Sequence, residues 1–484
     1  MSDLIKLDNS YYDLGLDFFK PQHPNHIDKP KLVLFNNDLA KNFNLGNKIS
    51  DADLANIFCG NILLPNSKPI ALAYAGHQFG NFVPQLGDGR AVLLGEIKNK
   101  KNQIYDIALK GSGQTYFSRS GDGKYPLNAA IKEYIFSEAL HYLKIPAARS
   151  LALVATNEFV NRSDVNQGSV ITRIAKSHIR IGTFEYFAAK NDFNNVKKIA
   201  DYSIKRHFPQ CLEVQNIYLS LLKKVIKSQA ELVSSWMSVG FIHGVMNTDN
   251  IAICKDTIDF GPCAFMDEYH QNKTFSYIDK RGRYSYSNQR NIILWNLTRF
   301  AETILPLIDV DIKKAVKLAE AELNKFENIF DKIYYSKMMS KIGIFNFEKG
   351  DEILIKEFLE ILQSNQLDFT NSFRNLSEIL VNNKIDDKNH DLKIWRKKWL
   401  GRLSQQNLGS EKIAIKMNKI NPILIPRNHL VEKIINKSIN DNSFCELKEF
   451  VKALKKPFIY NEYFKEYYRM PTQEEQVHHT FCGT

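Results

Sequence analysis

Nine glycines lie between positions 76 and 123, and their spacing limits the folds open to this chain more than any other feature. Short apolar runs separate them, such as 91–94 and 104–109. Short β-prone runs bounded by turn residues are typical of an antiparallel sheet. Pro126 follows, and because proline fits the first turn of a helix, we expect a helix from there to about Leu143.

Beyond a further predicted strand at 168–173, apolar residues recur at helical spacing from about residue 176, for example over 218–225 and 358–362. The order of elements predicts an α+β enzyme with a small β-rich lobe, a larger helical lobe and a cleft between them. We place an N-terminal extension at 1–75, the β-rich lobe at 76–175, the helical lobe at 176–400 and a C-terminal extension at 401–484.

Composition excludes several classes of protein. The 484 residues are 44% hydrophobic and 24% charged, as in an ordinary globular protein. The net charge of +12 comes from lysines spread along the chain without a nucleic-acid-binding signature, so we expect no nucleic-acid partner. No apolar run is long enough for a bilayer, and residues 1–8 lack the apolar core of a signal peptide. Six scattered cysteines form no metal-binding pattern, so we expect a cytoplasmic protein outside the membrane.

The segment Gly87-Asp88-Gly89-Arg90 contains two glycines at a predicted strand turn. Glycines there let backbone N–H groups approach a phosphate, although a Gly-x-Gly turn alone is a weak signal. Position 92 is Val, where a dinucleotide-binding fingerprint has its third glycine, and this argues against a Rossmann domain.

The strongest chemical signal is His243 followed by Asn250 and then Asp259-Phe260-Gly261. Protein kinases place the histidine of the catalytic loop, a metal-binding asparagine and a D-F-G segment in this order. Asn250 and Asp259 offer the hard oxygen ligands that Mg²⁺ prefers. Lys110 ends a predicted strand, where kinases carry a lysine that holds nucleotide phosphates.

In kinases that lysine pairs with a glutamate on the next helix. The predicted helix from Pro126 offers Glu133 and Glu138, and the spacing alone does not choose between them. Val245 stands at the position of the kinase catalytic aspartate, so the usual base is missing and an ordinary protein kinase is disfavoured. Asp249 is the nearest remaining carboxylate.

The segments Tyr74–Gly80, Pro84–Arg90, Leu109–Thr115, Ser177–Phe184 and His243–Asn250 resemble those of the selenoprotein O family over nearly the whole chain. The resemblance implies a protein-kinase-like fold that binds ATP in a flipped orientation. It implies transfer of AMP from ATP to Ser, Thr or Tyr hydroxyls of proteins, and the sequence does not exclude UTP as the donor of UMP. Mg²⁺ or Mn²⁺ would serve as the metal.

The resemblance also implies roles for individual residues. Asp249 would be the base, Asn250 and Asp259 the metal ligands, and Glu133 the partner of Lys110. Nucleotide contacts are expected from Gly87, Gly89, Arg90, Asp122, Gly123 and Asp259, with Arg173 and Arg180 on the phosphates. Cys482 occupies the position where some members carry selenocysteine, and Pro426 replaces an apolar residue expected there.

Two other functions stay open from the sequence: a kinase-like phosphotransferase that releases ADP, and an inactive nucleotide-binding scaffold. Retention of Lys110, Asn250 and Asp259 argues against the scaffold. A disulfide between Cys263, beside the D-F-G segment, and Cys482 would hold the C-terminal tail over the cleft. The sequence supports this pairing no better than two unrelated thiols.

Overall fold

A computed structural model describes residues 6–45, 49–162, 165–382 and 389–480. This part of the chain is a mixed α+β structure with one large antiparallel sheet and many helices. Its strands are β1 (Phe19–Pro21), β2 (Lys31–Phe35), β3 (Ile70–Leu72), β4 (Gly76–Gln78), β5 (Asn81–Val83), β6 (Ala91–Lys98), β7 (Ile104–Lys110), β8 (Tyr125–Pro126), β9 (Arg149–Asn161), β10 (Val165–Ala175), β11 (Phe241–Ile242) and β12 (Ala264–Phe265).

The described α-helices are α1 (Asn37–Asn42), α2 (Asp51–Cys59), α3 (Leu127–Tyr142), α4 (Ile181–Ala188), α5 (Phe193–His207), α6 (Ile217–Ser238), α7 (Gln289–Ile308), α8 (Ile312–Leu323), α9 (Phe326–Lys341), α10 (Glu352–Ser364), α11 (Phe369–Asn382), α12 (His390–Leu403), α13 (Ser410–Asn418), α14 (Asn428–Asn440) and α15 (Cys445–Leu454). Short 3₁₀ helices occupy Tyr12–Leu14, Pro209–Glu213, Thr248–Asn250, Glu462–Tyr468 and Gln473–Glu475. Within the described ranges, each helix is too short or too polar to span a lipid bilayer.

The large sheet has the strand order β1-β3-β6-β7-β10-β9-β2, with β8 added beside β10. β6, β7 and β10 lie side by side, and Lys110 at the end of β7 is opposite Ala91 and Ile171. Arg173 on β10 is opposite Ala108. This register brings Lys110 and Arg173 to neighbouring strands although 63 positions separate them in the sequence.

Helix α3 packs on β9 and β10, and α14 and α15 pack on α3 from another side. Eleven of its sixteen residues are buried, including both glutamates. A helix with apolar side chains on nearly all its faces is stable only when it is buried, because a sheet on one side would leave its other apolar side chains in contact with water. The C-terminal helices therefore complete the environment of α3.

The strands predicted within 91–94, 104–109 and 168–173 are confirmed as parts of β6, β7 and β10, and the helix from Pro126 is confirmed as α3. The sequence did not reveal that β1, β2 and β3, which precede residue 76, join the same sheet. These strands are short, and β1 contains a proline, so their pattern is weak.

Candidate active site

A cavity of about 970 Å³ lies against the sheet and the segments that carry the D-F-G and His243–Asn250 motifs. This volume is within the range of small-molecule sites. Eleven of the twelve predicted site residues line it: Gly87, Gly89, Arg90, Lys110, Asp122, Gly123, Arg173, Arg180, Asp249, Asn250 and Asp259. The twelfth, Glu133, is buried and contacts two of them, Lys110 and Arg173.

Glu133 accepts hydrogen bonds from two cations of the sheet. Lys110 Nζ lies 2.8 Å from Oε2, and the Arg173 guanidinium pairs with Oε1. The Tyr125 hydroxyl also donates to Oε2 at 2.9 Å. Although burial opposes ionisation, the charges of Arg173 and Lys110 lower the pKa of Glu133 to about 2. Glu133 is thus an ionised anchor for both cations.

Glu138, the alternative left open by the sequence, pairs elsewhere. Its carboxylate accepts from Arg149 Nε at 2.6 Å and from Asn36 Nδ2 at 2.7 Å. Five residues along a helix correspond to a rotation of about 140° from one side chain to the other. Because the two glutamates point to different sides of α3, only Glu133 reaches Lys110.

Asp259 is contacted by three cations. Its oxygens lie 3.0 Å from Arg173 Nη2, 3.7 Å from Lys110 Nζ and 3.7 Å from Arg180 Nη1. Burial opposes ionisation, but these charges hold the pKa of Asp259 well below its usual range. Its backbone has φ = 60°, an uncommon value for a residue other than glycine. The preceding carbonyl, of Ile258, is 2.9 Å from His243 Nε2, so the histidine of the motif supports this turn.

Arg180 precedes α4 and is almost fully buried. Its guanidinium stacks on the ring of Tyr74, 4.1 Å from the ring centroid, and donates to the backbone oxygen of Asp249 at 3.0 Å. Although burial opposes it, the negative charges of Asp88 and Asp259 raise the pKa of Arg180. Arg180 therefore links the D-F-G segment to the loop that carries Asp249.

Asp249 lies in the 3₁₀ helix Thr248–Asn250 and lines the cavity while being 7% exposed. Its Oδ1 atom is buried and makes no hydrogen bond. Desolvation raises the pKa of Asp249 from its usual value to about 7, against the lowering effect of Arg180. The three cations that pair with the Asp259 side chain form no ion pair with the side chain of Asp249.

The residues present fit a magnesium or manganese ion. Asn250 uses its amide nitrogen on the carbonyl of Val245 at 2.9 Å, which leaves its amide oxygen as the ligand atom. Asp259 supplies carboxylate oxygens in the same cavity. In the described part of the chain, His, Cys, Asp and Glu side chains do not gather in threes to hold a metal by themselves. A metal here would complete its ligands with phosphate and water, as Mg²⁺ commonly does.

The glycine turn is shaped by its neighbours. Gly87 has φ = 71°, and a side chain there would collide with the ring of Phe117. The hydroxyls of Thr115 and Ser118 donate to the carbonyls of Asp88 and Gly89. The loop after β7 is thereby attached to the turn, and both border the cavity.

Several residues of the site were missed by the sequence reasoning. Tyr74 and Tyr125 carry the rings beneath Arg180 and Lys110, and Arg162 clamps Asp122 with two bonds of 2.7 and 3.0 Å. Thr480 and Tyr277 border the cavity from distant parts of the chain. A buried tyrosine looks like any core residue in a sequence, and Arg162 follows a strand without a motif, so no local signal distinguished them.

The predicted disulfide involves Cys482, which lies outside the described residues, so the pairing stays a prediction. Cys263 is buried, with its thiol 3.3 Å from the carbonyl of Phe260. Two residues before Cys482, the Thr480 hydroxyl donates to the carbonyl of Pro262 at 2.6 Å. The end of the described chain therefore lies beside the D-F-G segment.

Known proteins resemble this chain over nearly its whole length. The family model described as protein adenylyltransferase SelO matches residues 4–455. A protein nucleotidyltransferase YdiU of Clostridium perfringens (strain SM101) is 45% identical over 99% of this chain and 98% of its own length. Proteins of the same name from Clostridium botulinum (strain Eklund 17B) and Bradyrhizobium diazoefficiens are each 44% identical, over 100% and 98% of this chain and 99% and 98% of their own lengths.

These matches define the class: a nucleotidyltransferase that acts on protein. The chain belongs to the protein adenylyltransferase SelO family, as the resemblance in the sequence indicated.

Proposed function

We propose that this protein transfers AMP from ATP to Ser, Thr or Tyr hydroxyls of other proteins and releases pyrophosphate. The cavity would be the cleft between the two lobes of a kinase-like fold. ATP would enter with its phosphates toward Lys110, Arg173 and Arg180.

The cations support the binding of a polyphosphate. Lys110, Arg173 and Arg180 line one cavity and are almost fully buried, so their charges act in surroundings that screen them weakly. Arginine forks match phosphate oxygens with two parallel hydrogen bonds. The three now surround Asp259, and an incoming triphosphate would share them.

Asp249 is the proposed base. It lines the cavity, and its Oδ1 atom is buried against Gly76 without a hydrogen-bond partner. The carboxylate is therefore weakly stabilised as an anion, which favours its taking the proton of an acceptor hydroxyl. Val245 also lines the cavity but has no group that can accept a proton. The carboxylate therefore reaches the cavity four residues later in the loop than in a protein kinase.

In the proposed step the acceptor oxygen attacks the α-phosphorus while its proton passes to Asp249. A new P–O bond forms, the bond between the α-phosphorus and the bridging oxygen breaks, and pyrophosphate leaves. Arg173 and Arg180 would stabilise the charge that develops on the leaving group. A metal held by Asn250 and Asp259 would offset phosphate charge.

The observation that carries this proposal is the combination of an apolar Val245 with a buried Asp249, whose Oδ1 atom makes no hydrogen bond, in a cavity lined by three buried cations. The test uses purified protein with α-³²P-labelled and γ-³²P-labelled ATP in separate reactions, and Asp259→Ala as control. We expect label on protein from the α position only, and none with Asp259→Ala.

Label from the γ position alone would make the protein a phosphotransferase and contradict the proposed use of Asp249. Incorporation from neither nucleotide, with ATP still bound, would identify a scaffold. Replacing ATP with α-³²P-labelled UTP, and Mg²⁺ with Mn²⁺, in the same assay determines the preferred donor and metal.

A further inference from the structure

The segment Tyr74–Gly80 is one of the motifs of the family resemblance, yet most of it does not belong to the groups assigned to nucleotide or metal. In the structure it contains β4, which pairs with β5 in a small hairpin separate from the large sheet. This hairpin lies against the 3₁₀ helix that carries Asp249. Its contacts with that loop give the motif a function.

His77 holds the residue before Asp249 through its backbone. The His77 N–H donates to the Thr248 hydroxyl oxygen at 2.7 Å, and that hydroxyl donates to Glu185 Oε2 at 2.5 Å. Glu185 is on α4, the helix that follows Arg180. Thr248 is fully buried, so each of these polar groups depends on the others in place of water.

The side chain of His77 closes the arrangement into a ring. Its Nδ1 atom lies 2.6 Å from Glu185 Oε1, so the two oxygens of one carboxylate contact His77 and Thr248. The imidazole packs edge-on against Trp295 and next to Phe82. Three elements that are distant in sequence, β4, α4 and the Asp249 loop, are thus fixed to one another.

The neighbours of His77 make the contact with Asp249 itself. A side chain on Gly76 would collide with the Asp249 carboxylate. The φ of Gly76 is not in the left-handed region, so space rather than backbone conformation requires glycine there. One residue before Thr248, Asn247 Oδ1 accepts from the Phe79 N–H at 3.0 Å. The hairpin therefore contacts the loop at Asn247, Thr248 and Asp249 in succession.

We propose that His77, Glu185 and Thr248 are positioning residues that hold the Asp249 carboxylate where it meets the acceptor hydroxyl, with Gly76 as the surface against which it rests. This inference rests on the proposed function, in which Asp249 is the base. In the described part of the chain, the hydrogen bonds of these three side chains go to one another and not to Lys110, Arg173 or Arg180, so we expect their loss to affect the chemical step more than ATP binding.

The experiment compares Thr248→Val with Thr248→Ser in the α-³²P-ATP assay, with a pool of randomised peptides carrying a central Ser, Thr or Tyr as acceptor. Valine keeps the volume but removes the hydroxyl that links His77 to Glu185, whereas serine keeps it. Since misplacing a reacting group by about 1 Å can cost on the order of a hundredfold, we expect kcat to fall by about thirtyfold or more with valine. Serine should restore the rate to within about threefold, and KM for ATP should change less than about twofold in both.

Gly76→Ala is a second, independent test, since it pushes directly on Asp249 and leaves the hydrogen-bonded ring intact. A comparable fall in kcat is expected, with unchanged affinity for an ATP analogue whose α–β bridge cannot be cleaved. Thr303→Val is the matched control: Thr303 is buried on α7, and its hydroxyl bonds only within its own helix. It should lose a similar amount of thermal stability without loss of kcat.

The inference is overturned if Thr248→Val keeps its kcat, or if its whole loss appears in KM for ATP. An equal fall with serine and valine would also overturn it. Absence of labelling by the wild-type protein would instead contradict the proposed function, and this inference with it.

Discussion

Asp249 and Asp259 are ten positions apart and line the same cavity, yet their surroundings differ in nearly every respect. Three cations reach the carboxylate of Asp259 and hold its pKa well below the usual range. Arg180, which contacts both residues, meets Asp249 only at its backbone oxygen. Burial therefore raises the pKa of Asp249 to about 7.

This difference separates two tasks within one cavity. On the Asp259 side of the cavity, a carboxylate lies among three cations, and this arrangement of charges suits the binding of a metal and a polyphosphate. The Asp249 side is poor in cations and leaves a carboxylate oxygen free of hydrogen bonds, which suits the acceptance of a proton. The two aspartates are the same type of residue, so the different pKa values and roles that we assign to them come from the cations around each one.

The largest expected effect comes from removing the charge on the Asp259 side. Asp259→Asn keeps the size of the side chain but loses the carboxylate, and we expect pyrophosphate release to fall about a thousandfold, since metal-based charge stabilisation is worth several kcal/mol. Asp256→Asn is the control, because Asp256 is a buried carboxylate three residues earlier that does not line the cavity. A loss of tenfold or less with Asp259→Asn would contradict the assignment of Asp259 to the metal.

On the other side, Asp249→Asn should stabilise the protein. Because the folded-state pKa is raised from 3.8 to about 7, the stability that comes from protonated Asp249 is complete below about pH 3.8 and is lost as the pH rises to about 7. At pH 8 the variant should gain on the order of 2–4 kcal/mol in free energy of unfolding over wild type.

The measurement is urea unfolding of both proteins in EDTA, at pH 8 and at pH 4. The gain should nearly vanish at pH 4, where wild-type Asp249 is already neutral. Equal stabilities at pH 8 would mean that the carboxylate is solvated and that the contrast with Asp259 is weaker than described.

Arg173→Ala sharpens the comparison, since Arg173 belongs wholly to the Asp259 side. Loss of one well-placed donor typically costs about a hundredfold in kcat, and we expect that fall in AMP transfer. Arg149→Ala removes an arginine from the other buried glutamate of α3, Glu138, and lies outside the cavity lining. It should lower thermal stability in a similar way and leave kcat within about threefold, whereas equal kcat values for the two variants would remove Arg173 from the site.

Much of the site could be predicted because its residues lie in local patterns. Lys110 ends a strand between glycines, and Asn250 and Asp259 follow His243 at kinase-like distances. The choice of Glu133 over Glu138 needed either the family resemblance or the structure. Both are buried glutamates on one helix, and only the packing of α3 shows which one faces β7.

The parts that could not be predicted depend on contacts between distant segments. The hairpin of β4 and β5 has three residues per strand, and its partner Glu185 lies more than a hundred positions from His77. Short strands carry little periodic signal, and a His–Glu–Thr cluster built from distant segments has no spacing rule. The three early strands β1–β3 likewise join the sheet through long-range pairing.

The covering of α3 by α14 and α15 has a consequence for how the protein is made. Ribosomes synthesise these two helices after all the predicted site residues, so a nascent chain that already contains those residues still lacks the cover of the helix that holds Glu133. Lys110 and Arg173 would then have a poorly fixed anchor. Catalytic competence should therefore require α14 and α15 to be packed on α3, and chains that stop before them should transfer AMP poorly.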